Sequence, residues 1–284
     1  MIQFVEARIF RMKTKSVNSA IWTYLLVLVA LCVPLNWLVL SNLTNDSAQT
    51  WIMAVMYAPA AAAVLTWLFT KQRIVFGKPR VSTLLLALVP PLVVAAAYTI
   101  GTGFGVEFLG FDALNPIELV VATLAGCLLA IGEEIGWRGM LLPLLRQRHG
   151  YFAANLLLAI IWTIFHVPII VLGGPLYSNN AIPLWANVLF FSVAVFGFSF
   201  YVGWLWEKSH GIWAPTLAHA FWNHMLQSVL GGMFIAMNAW LFYDEFGVLP
   251  AAAMLLLFVI VVPMASRKYS TPLSAESFQR KAKG

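Results

Sequence analysis

The stretch PIELVVATLAGCLLAIGEEIGWRGML (residues 116–141) combines the length of a membrane-spanning helix with three ionisable side chains near its end. About 20 apolar residues are enough to cross a bilayer core of about 30 Å, and this stretch exceeds that length. Glu133, Glu134 and Arg138 nevertheless lie inside it. Charged groups in a bilayer core cost several kcal/mol each and usually face the interior of a helix bundle. The stretch therefore predicts a membrane helix that carries part of a functional site.

Apolar windows of this kind recur along the whole chain. Of its 284 residues, 61% are hydrophobic and 10% are charged, whereas about a quarter of the residues of a soluble domain are charged. We expect an all-α, polytopic bundle of about eight transmembrane helices in one integral membrane domain (residues 1–284), with a polar, basic tail at 266–284. The predicted spans are residues 20–41, 51–70, 82–101, 116–142, 152–173, 184–206, 211–232 and 247–265.

The positions of the basic residues provide an independent test of this span count. Lysine and arginine collect on the cytoplasmic side of membrane proteins. If the N-terminus is cytoplasmic, all 17 basic residues fall on that side or at its border. They are Arg8, Arg11, Lys13, Lys15, Lys71, Arg73, Lys78, Arg80, Arg138, Arg146, Arg148, Lys208, Arg267, Lys268, Arg280, Lys281 and Lys283. The opposite loops carry only acids, namely Asp46, Glu107, Asp112, Asp244 and Glu245. The pattern predicts an even number of spans, with both termini in the cytoplasm.

The net charge of +6 is also compatible with nucleic-acid binding. The basic residues, however, occur one or a few per loop and do not form a patch with interleaved aromatic side chains. Membrane topology accounts for them better. We therefore expect the lipid bilayer, and no nucleic acid, to be a partner of this chain.

Two further predicted spans carry polar side chains. His166 lies in IIWTIFHVPII (residues 160–170), and PTLAHAFWNHML (residues 215–226) contains His219, Asn223 and His224. Residues four apart share one face of a helix, so Glu134 can pair with Arg138, and His219 can act beside Asn223. Glu133 points about 100° away from Glu134. Because Glu134 is paired with Arg138, Glu133 remains free to face a cavity. On the other helix, His224 is rotated off the face that carries His219.

Each of these groups alone has a structural interpretation. A Glu–Arg pair near a helix end can serve packing only, a single histidine in an apolar run is often a hydrogen-bonded core residue, and His219 with Asn223 can join helices. Packing alone rarely needs all of them at similar membrane depth. Their distances from the predicted helix ends agree loosely and permit a shared cavity in the cytoplasmic half of the bilayer.

Such a set of residues suits the hydrolysis of an acyl bond. A carboxylate and a histidine around a water molecule can act as a general base. A histidine N–H and an asparagine amide are suitable donors to the oxyanion of a tetrahedral intermediate. The residues thus favour attack by activated water, without a nucleophile from the protein.

At this point the sequence resembles the CAAX prenyl endopeptidases and bacteriocin-processing enzymes, also called the type II CAAX protease or Abi family of intramembrane proteases. The family pattern is Glu-Glu-x-x-x-Arg, then Phe-x-x-x-His, then His-x-x-x-Asn or Asp. Here EEIGWR, WTIFH and HAFWN occur in that order, within a resemblance that covers about residues 115–232, the expected catalytic core. Trp162 replaces the phenylalanine of the second motif, and we expect it to fill the same packing role.

The resemblance also implies a role for each matching residue. Glu133 and His166 would activate the attacking water, His219 and Asn223 would stabilise the oxyanion, and Glu134 and Arg138 would hold the site together. The better-supported model of the family is a metal-independent glutamate protease, so no cofactor is expected. From the residues alone, a zinc ion held by Glu133, His166 and His219 remains an alternative.

Other functions remain open from the sequence. Glu133, His166 and His219 could form a proton or cation relay in a transporter, or the chain could be a non-catalytic membrane scaffold. The expected partner is a peptide or protein substrate, and the sequence leaves open whether that substrate is prenylated. The family resemblance favours a multi-pass protein of the bacterial inner (plasma) membrane.

Overall fold

A computed structural model describes residues 2–43, 47–173, 179–238, 240–241 and 245–274, with side chains from residue 16 onward. The helices are α1 (Ile2–Ser41), α2 (Ser47–Thr70), α3 (Val81–Leu86), α4 (Val89–Gly101), α5 (Pro116–Gly136), α6 (Leu142–Arg146), α7 (Tyr151–Leu172), α8 (Leu184–Ser209), α9 (Trp213–His224), α10 (Gly231–Met233) and α11 (Val248–Lys268). Strands β1 (Val106–Phe108) and β2 (Phe234–Ala236) form an antiparallel pair. The last ten residues of the predicted tail, the acids Asp46 and Asp244, and the side chains of the N-terminal basic residues lie outside the described parts.

The predicted all-α, polytopic fold is confirmed. Seven helices of the described residues are long and apolar enough to cross a membrane. They are Ser16–Ser41, Ser47–Thr70, Val81–Phe104, Pro116–Arg146, Tyr151–Leu172, Leu184–Ser209 and Val248–Lys268. The chain is therefore an integral membrane protein with several spans.

The predicted span at residues 211–232 is not among these seven, so the count by length and composition is seven where eight were expected. The segment is helical, since α9 continues through the π-helical turn Met225–Leu230 into α10. Its polar side chains, among them His219 and Asn223, lower its hydropathy. Several of its residues are buried against other helices and need not face lipid.

Helix α5 begins at a well-formed cap. The side chain of Asn115 accepts hydrogen bonds from the backbone amides of Ile117 and Glu118, at 3.0 and 3.2 Å. Pro116 follows at the first helical position, where its missing N–H has no consequence. This cap fixes the start of the helix that carries the glutamate pair.

Two glycines let α5 approach α2 closely around the glutamates. A Cβ atom at Gly132 would lie 2.9 Å from the Met56 carbonyl oxygen, and one at Gly136 would overlap the backbone of Pro59. Small residues four apart commonly allow such close helix contacts in membranes. The spacing places Glu133 and Glu134, between the glycines, against the bundle interior.

After Gly136 the helix widens into the π-helical turn Trp137–Leu141. Pro143 has no N–H and cannot donate to the carbonyl of Gly139, four residues before it. That carbonyl instead accepts a 2.8 Å hydrogen bond from the amide of Val75, in the segment after α2. Turns of this type frequently occur at functional sites, and this one contains Arg138.

The remaining helices enclose α5. It packs between α2 and α9, while α7 packs on α8, and α11 packs on α8 and α4. The wide gap between α2 and α5 on one side and α7 and α8 on the other forms the cavity described below.

Candidate active site

A cavity of about 500 Å³ lies between α2, α5, α7, α8 and α9. Its wall contains all four residues predicted to be catalytic: Glu133, His166, His219 and Asn223. The rest of the wall is largely apolar, with side chains such as Ile52, Leu129, Ile169, Val195 and Phe198. The three motifs, distant in sequence, therefore meet at one cavity.

Glu133 is held in this wall by two tryptophans. Its Oε2 accepts hydrogen bonds from Trp137 Nε1 at 3.0 Å and from Trp162 Nε1 at 2.8 Å. Only 2% of Glu133 is exposed. Its Oε1 makes no hydrogen bond within the described residues, which leaves one carboxylate oxygen for a molecule in the cavity.

Glu134 joins the first motif to the third. Its Oε1 lies 3.0 Å from Arg138 Nη1 and 3.0 Å from His219 Nδ1. The first contact is the ion pair predicted from the spacing of the two residues. Because a carboxylate oxygen accepts, His219 Nδ1 carries the proton of the second contact. This hydrogen bond turns His219 Nε2 away from Glu134.

Arg138 is fully buried and has three kinds of partner. Besides Glu134, its Nη2 lies 3.3 Å from Ser199 Oγ, on α8. Its guanidinium carbon lies 4.3 Å from the ring centroid of Trp162, a cation–π distance. Arg138 therefore ties α5 to α7 and α8 around the glutamate pair.

His166 is oriented by its own helix. Its Nδ1 lies 2.9 Å from the carbonyl oxygen of Trp162, one turn earlier in α7. A carbonyl can only accept, so Nδ1 carries a proton, and Nε2 of the neutral ring carries a lone pair. The rings of Phe165 and Phe191 pack against the imidazole at centroid distances of 5.0 and 5.2 Å. The ring is thus held with an acceptor nitrogen available.

Asn223 and His224 both line the cavity. The Asn223 amide has no hydrogen-bond partner among the described side chains and backbone groups, so its N–H groups are available to a ligand. His224 was expected to be rotated off the face of His219, and it lines the same cavity.

Several contacts of the site were missed by reasoning from the sequence. Trp137 lies four residues after Glu133, a spacing that could have indicated its hydrogen bond. Trp162 was expected to fill space only, but it also donates a hydrogen bond to Glu133. Ser199 lies outside all three motifs, and no sequence signal marked it as a partner of Arg138.

The alternative zinc site was tested against these positions. Within the described residues, no three His, Cys, Asp or Glu side chains are grouped closely enough to hold a metal ion. Glu133, His166 and His219 do not form such a group in this arrangement.

Comparison with known proteins agrees with this geometry. Residues 115–225 match the model of the family described as type II CAAX prenyl endopeptidase Rce1-like. The match confirms the resemblance to the type II CAAX proteases, and it indicates an intramembrane peptidase of the CAAX protease type that acts on peptide or protein substrates. A search of curated proteins found no significant match.

Proposed function

We propose, from the match of residues 115–225 to a protease family, that this chain hydrolyses a peptide bond with a water molecule activated by Glu133 and His166. One observation carries the proposal. The Glu133 carboxylate is fixed through Oε2 by two indoles and keeps Oε1 for the cavity that His166, His219 and Asn223 also line.

The first step is proton removal from water. A water molecule between Glu133 Oε1 and His166 Nε2 would meet two acceptors, and one of them takes its proton as the oxygen attacks the scissile carbonyl carbon. The C–O bond forms while the carbonyl π-electrons move to oxygen. The same proton then passes to the leaving nitrogen as the C–N bond breaks, so the base is regenerated.

The negatively charged oxygen of the tetrahedral intermediate needs hydrogen-bond donors. Asn223 offers an amide N–H. His219 offers Nε2–H in its imidazolium form, in which Nδ1–H donates to Glu134 and the carboxylate is the counterion. One such donor is worth about 10²–10³ in rate. Glu134 and Arg138 act as positioning residues, because they hold His219 and join α5 to α8.

We propose that the reaction needs no metal ion. The arrangement of the side chains supports this view, since no three His, Cys, Asp or Glu side chains of the described residues are grouped closely enough to hold a metal ion. We further propose the bacterial inner membrane as the location, which the family resemblance supports.

The proposed function is tested with the full chain, purified in detergent, and quenched peptides with and without a prenyl group. Cleavage in water enriched in ¹⁸O, with one labelled oxygen in the new carboxyl group after a single turnover, is expected. Cleavage of neither peptide class by the folded protein would remove the peptidase proposal and favour a relay or scaffold.

A further inference from the structure

The segment 71–80, which joins α2 to α3, carries a group of exposed cations. Its basic residues are Lys71, Arg73, Lys78 and Arg80, and all four are exposed. One apolar span ends at Thr70 and the next begins at Val81, so the segment lies where the chain leaves and re-enters the membrane. Lys208, in the last turn of α8, joins this group, because Arg80 Nη1 donates to the Lys208 carbonyl at 2.9 Å. We call Lys78, Arg80 and Lys208 the surface cation cluster.

The segment that carries the cluster is held in place although it is neither helix nor strand. The amide of Ile212 donates to the Phe76 carbonyl at 3.0 Å, and Trp213 Nε1 donates to the Gly77 carbonyl at 2.9 Å. Gly77 has a φ of 60°, and a Cβ atom there would lie 2.3 Å from the His210 carbonyl oxygen. The segment is therefore fitted closely against the junction between α8 and α9, and its cations are preorganised beside Lys208.

The two segments that form the cluster supply no exposed acid to balance its charge. Residues 71–86 contain no aspartate or glutamate, and residues 200–213 contain only Glu207. Glu207 is buried and forms an ion pair with Arg146, so its charge is already compensated. The ammonium group of Lys208 lies 4.9 Å from the ring centroid of Trp204, a contact that orients the cation without neutralising it. The cluster therefore favours an anion from outside the chain.

Apolar side chains next to the cluster indicate what kind of anion it receives. Phe76 is 45% exposed, Val81 is 74% exposed and Trp213 is 38% exposed. Aromatic side chains are enriched at the level of the lipid headgroups, and basic segments beside a span are attracted to anionic lipids. A soluble anion would meet only the cations. An anionic phospholipid would meet the cations with its phosphate and the apolar side chains with its acyl chains.

We infer that the surface cation cluster binds the phosphate of an anionic phospholipid, whose acyl chains lie along Phe76 and Val81. The guanidinium of Arg80 offers paired N–H donors that suit phosphate oxygens, and Lys78 and Lys208 add two point charges. None of the three cations lines the catalytic cavity. The lipid site is therefore separate from the proposed active site and does not depend on peptide cleavage.

The same segment also contacts the helix that carries the glutamate pair. The amide of Val75 donates to the Gly139 carbonyl at 2.8 Å, within the π-helical turn that contains Arg138. A lipid that holds the segment 71–80 against α8 therefore also supports this turn. A ligand that binds only the folded state raises the stability of the whole protein, so bound lipid should raise the midpoint temperature of unfolding.

Thermal unfolding of the full chain in neutral-detergent micelles tests this site. The midpoint temperature should rise as phosphatidylglycerol is added and should stay unchanged with phosphatidylcholine. Each cation near an anionic lipid surface contributes about fivefold to binding, so a variant with Lys78→Gln, Arg80→Gln and Lys208→Gln should bind phosphatidylglycerol about 100-fold more weakly. The matched control carries Arg148→Gln, Arg267→Gln and Lys268→Gln, which remove three cations outside the cluster, and it should respond to the lipid as the unchanged protein does.

A second variant guards against loss of folding. Lys78→Gln with Lys208→Gln keeps Arg80 and its hydrogen bond to the Lys208 carbonyl, so its midpoint in phosphatidylcholine should match that of the unchanged protein. Its response to phosphatidylglycerol should still weaken about 25-fold. Equal weakening in this variant and in the control triple variant would show a general effect of surface charge and would overturn the inference.

Soluble glycerol phosphate separates the two possible sources of the phosphate group. It carries the charge of the headgroup without acyl chains, so it should leave the midpoint temperature unchanged at concentrations where phosphatidylglycerol raises it. An equal rise with glycerol phosphate would indicate a site for a soluble phosphate compound and would overturn the lipid assignment. The absence of any rise with phosphatidylglycerol would also overturn it, and neither result would affect the proposed peptidase function.

Discussion

Trp162 Nε1 lies 2.8 Å from Glu133 Oε2, and this hydrogen bond joins α7 to the glutamate pair of α5. The same indole ring lies under the Arg138 guanidinium and 5.3 Å from the His219 ring centroid. Trp162 therefore contacts both Glu133, which is proposed to activate water, and His219, which is proposed to stabilise the oxyanion. It donates a hydrogen bond to the proposed general base and packs against a proposed donor for the oxyanion.

Replacement of Trp162 by phenylalanine should lower turnover. The variant keeps an aromatic ring but removes one of the two donors to Glu133 Oε2, so the carboxylate is less firmly oriented. Since a hydrogen bond to a charged group is worth about 1.5–3 kcal/mol, we expect kcat to fall about tenfold or more with a smaller change in KM. The two constants are measured with a cleaved peptide.

Trp206→Phe is the matched control for this variant. Trp206 is also buried, but its Nε1 has no hydrogen-bond partner in the described structure. Its replacement removes ring area and no hydrogen bond, so turnover should stay near that of the unchanged protein. An equal loss of turnover in both variants would show that the hydrogen bond from the Trp162 indole to Glu133 has no special role in catalysis.

Arg138→Ala should destabilise the protein. The change removes one partner of the buried Glu134–Arg138 ion pair, which costs about 3–5 kcal/mol where such a pair is buried. The free energy of unfolding in mixed micelles measures this loss. The exposed Arg73 provides the control, since Arg73→Ala should change stability by less than about 0.5 kcal/mol. Similarly small changes in the free energy of unfolding in Arg138→Ala and Arg73→Ala would contradict the structural role of the ion pair.

Gly136→Ala should also destabilise the protein, although alanine usually favours a helix over glycine by about 0.5–1 kcal/mol. The added methyl group overlaps the backbone of Pro59 and forces α2 away from α5. Such overpacking costs about 1–3 kcal/mol. Gly103→Ala, where no atom lies within 4 Å of the new methyl group, should show no such loss. A Gly136→Ala variant as stable as the Gly103→Ala variant would argue against the close helix contact.

Asn223→Ala should lower kcat about 10²–10³-fold if its amide stabilises the oxyanion. Stability should change little, because the amide makes no hydrogen bond within the described residues. The exposed Asn180 supplies the control, and Asn180→Ala should retain full turnover. Retained turnover in Asn223→Ala would remove this residue from the proposed mechanism.

Part of this site could be predicted from sequence because helical spacing is local. The Glu134–Arg138 pair follows from residues four apart, and the three motifs marked Glu133, His166 and His219 before their meeting point was known. The partnership of Arg138 with Ser199 depends on how α5 meets α8, which a local pattern does not encode. The hydrogen bond from Trp162 to Glu133 likewise depends on side-chain orientation across two helices.

The predicted span at residues 211–232 shows a second limit. Its polar side chains were evidence for a functional site, yet the same side chains leave the segment too polar to count as a span by composition. A helix enclosed by other helices can carry such residues because its neighbours, and not lipid, surround them. Whether a polar helix is enclosed in this way depends on tertiary packing.

Cleavage by Glu133→Gln protein, with and without a strong chelator, tests the central claim most directly. The control is Glu118→Gln, on the exposed first turn of the same helix. We predict that the unchanged protein and the Glu118→Gln variant cleave peptide equally well in the chelator, and that Glu133→Gln cleaves none with its fold intact. Undiminished cleavage by Glu133→Gln, or loss of cleavage in chelator that zinc restores, would contradict the metal-independent glutamate mechanism.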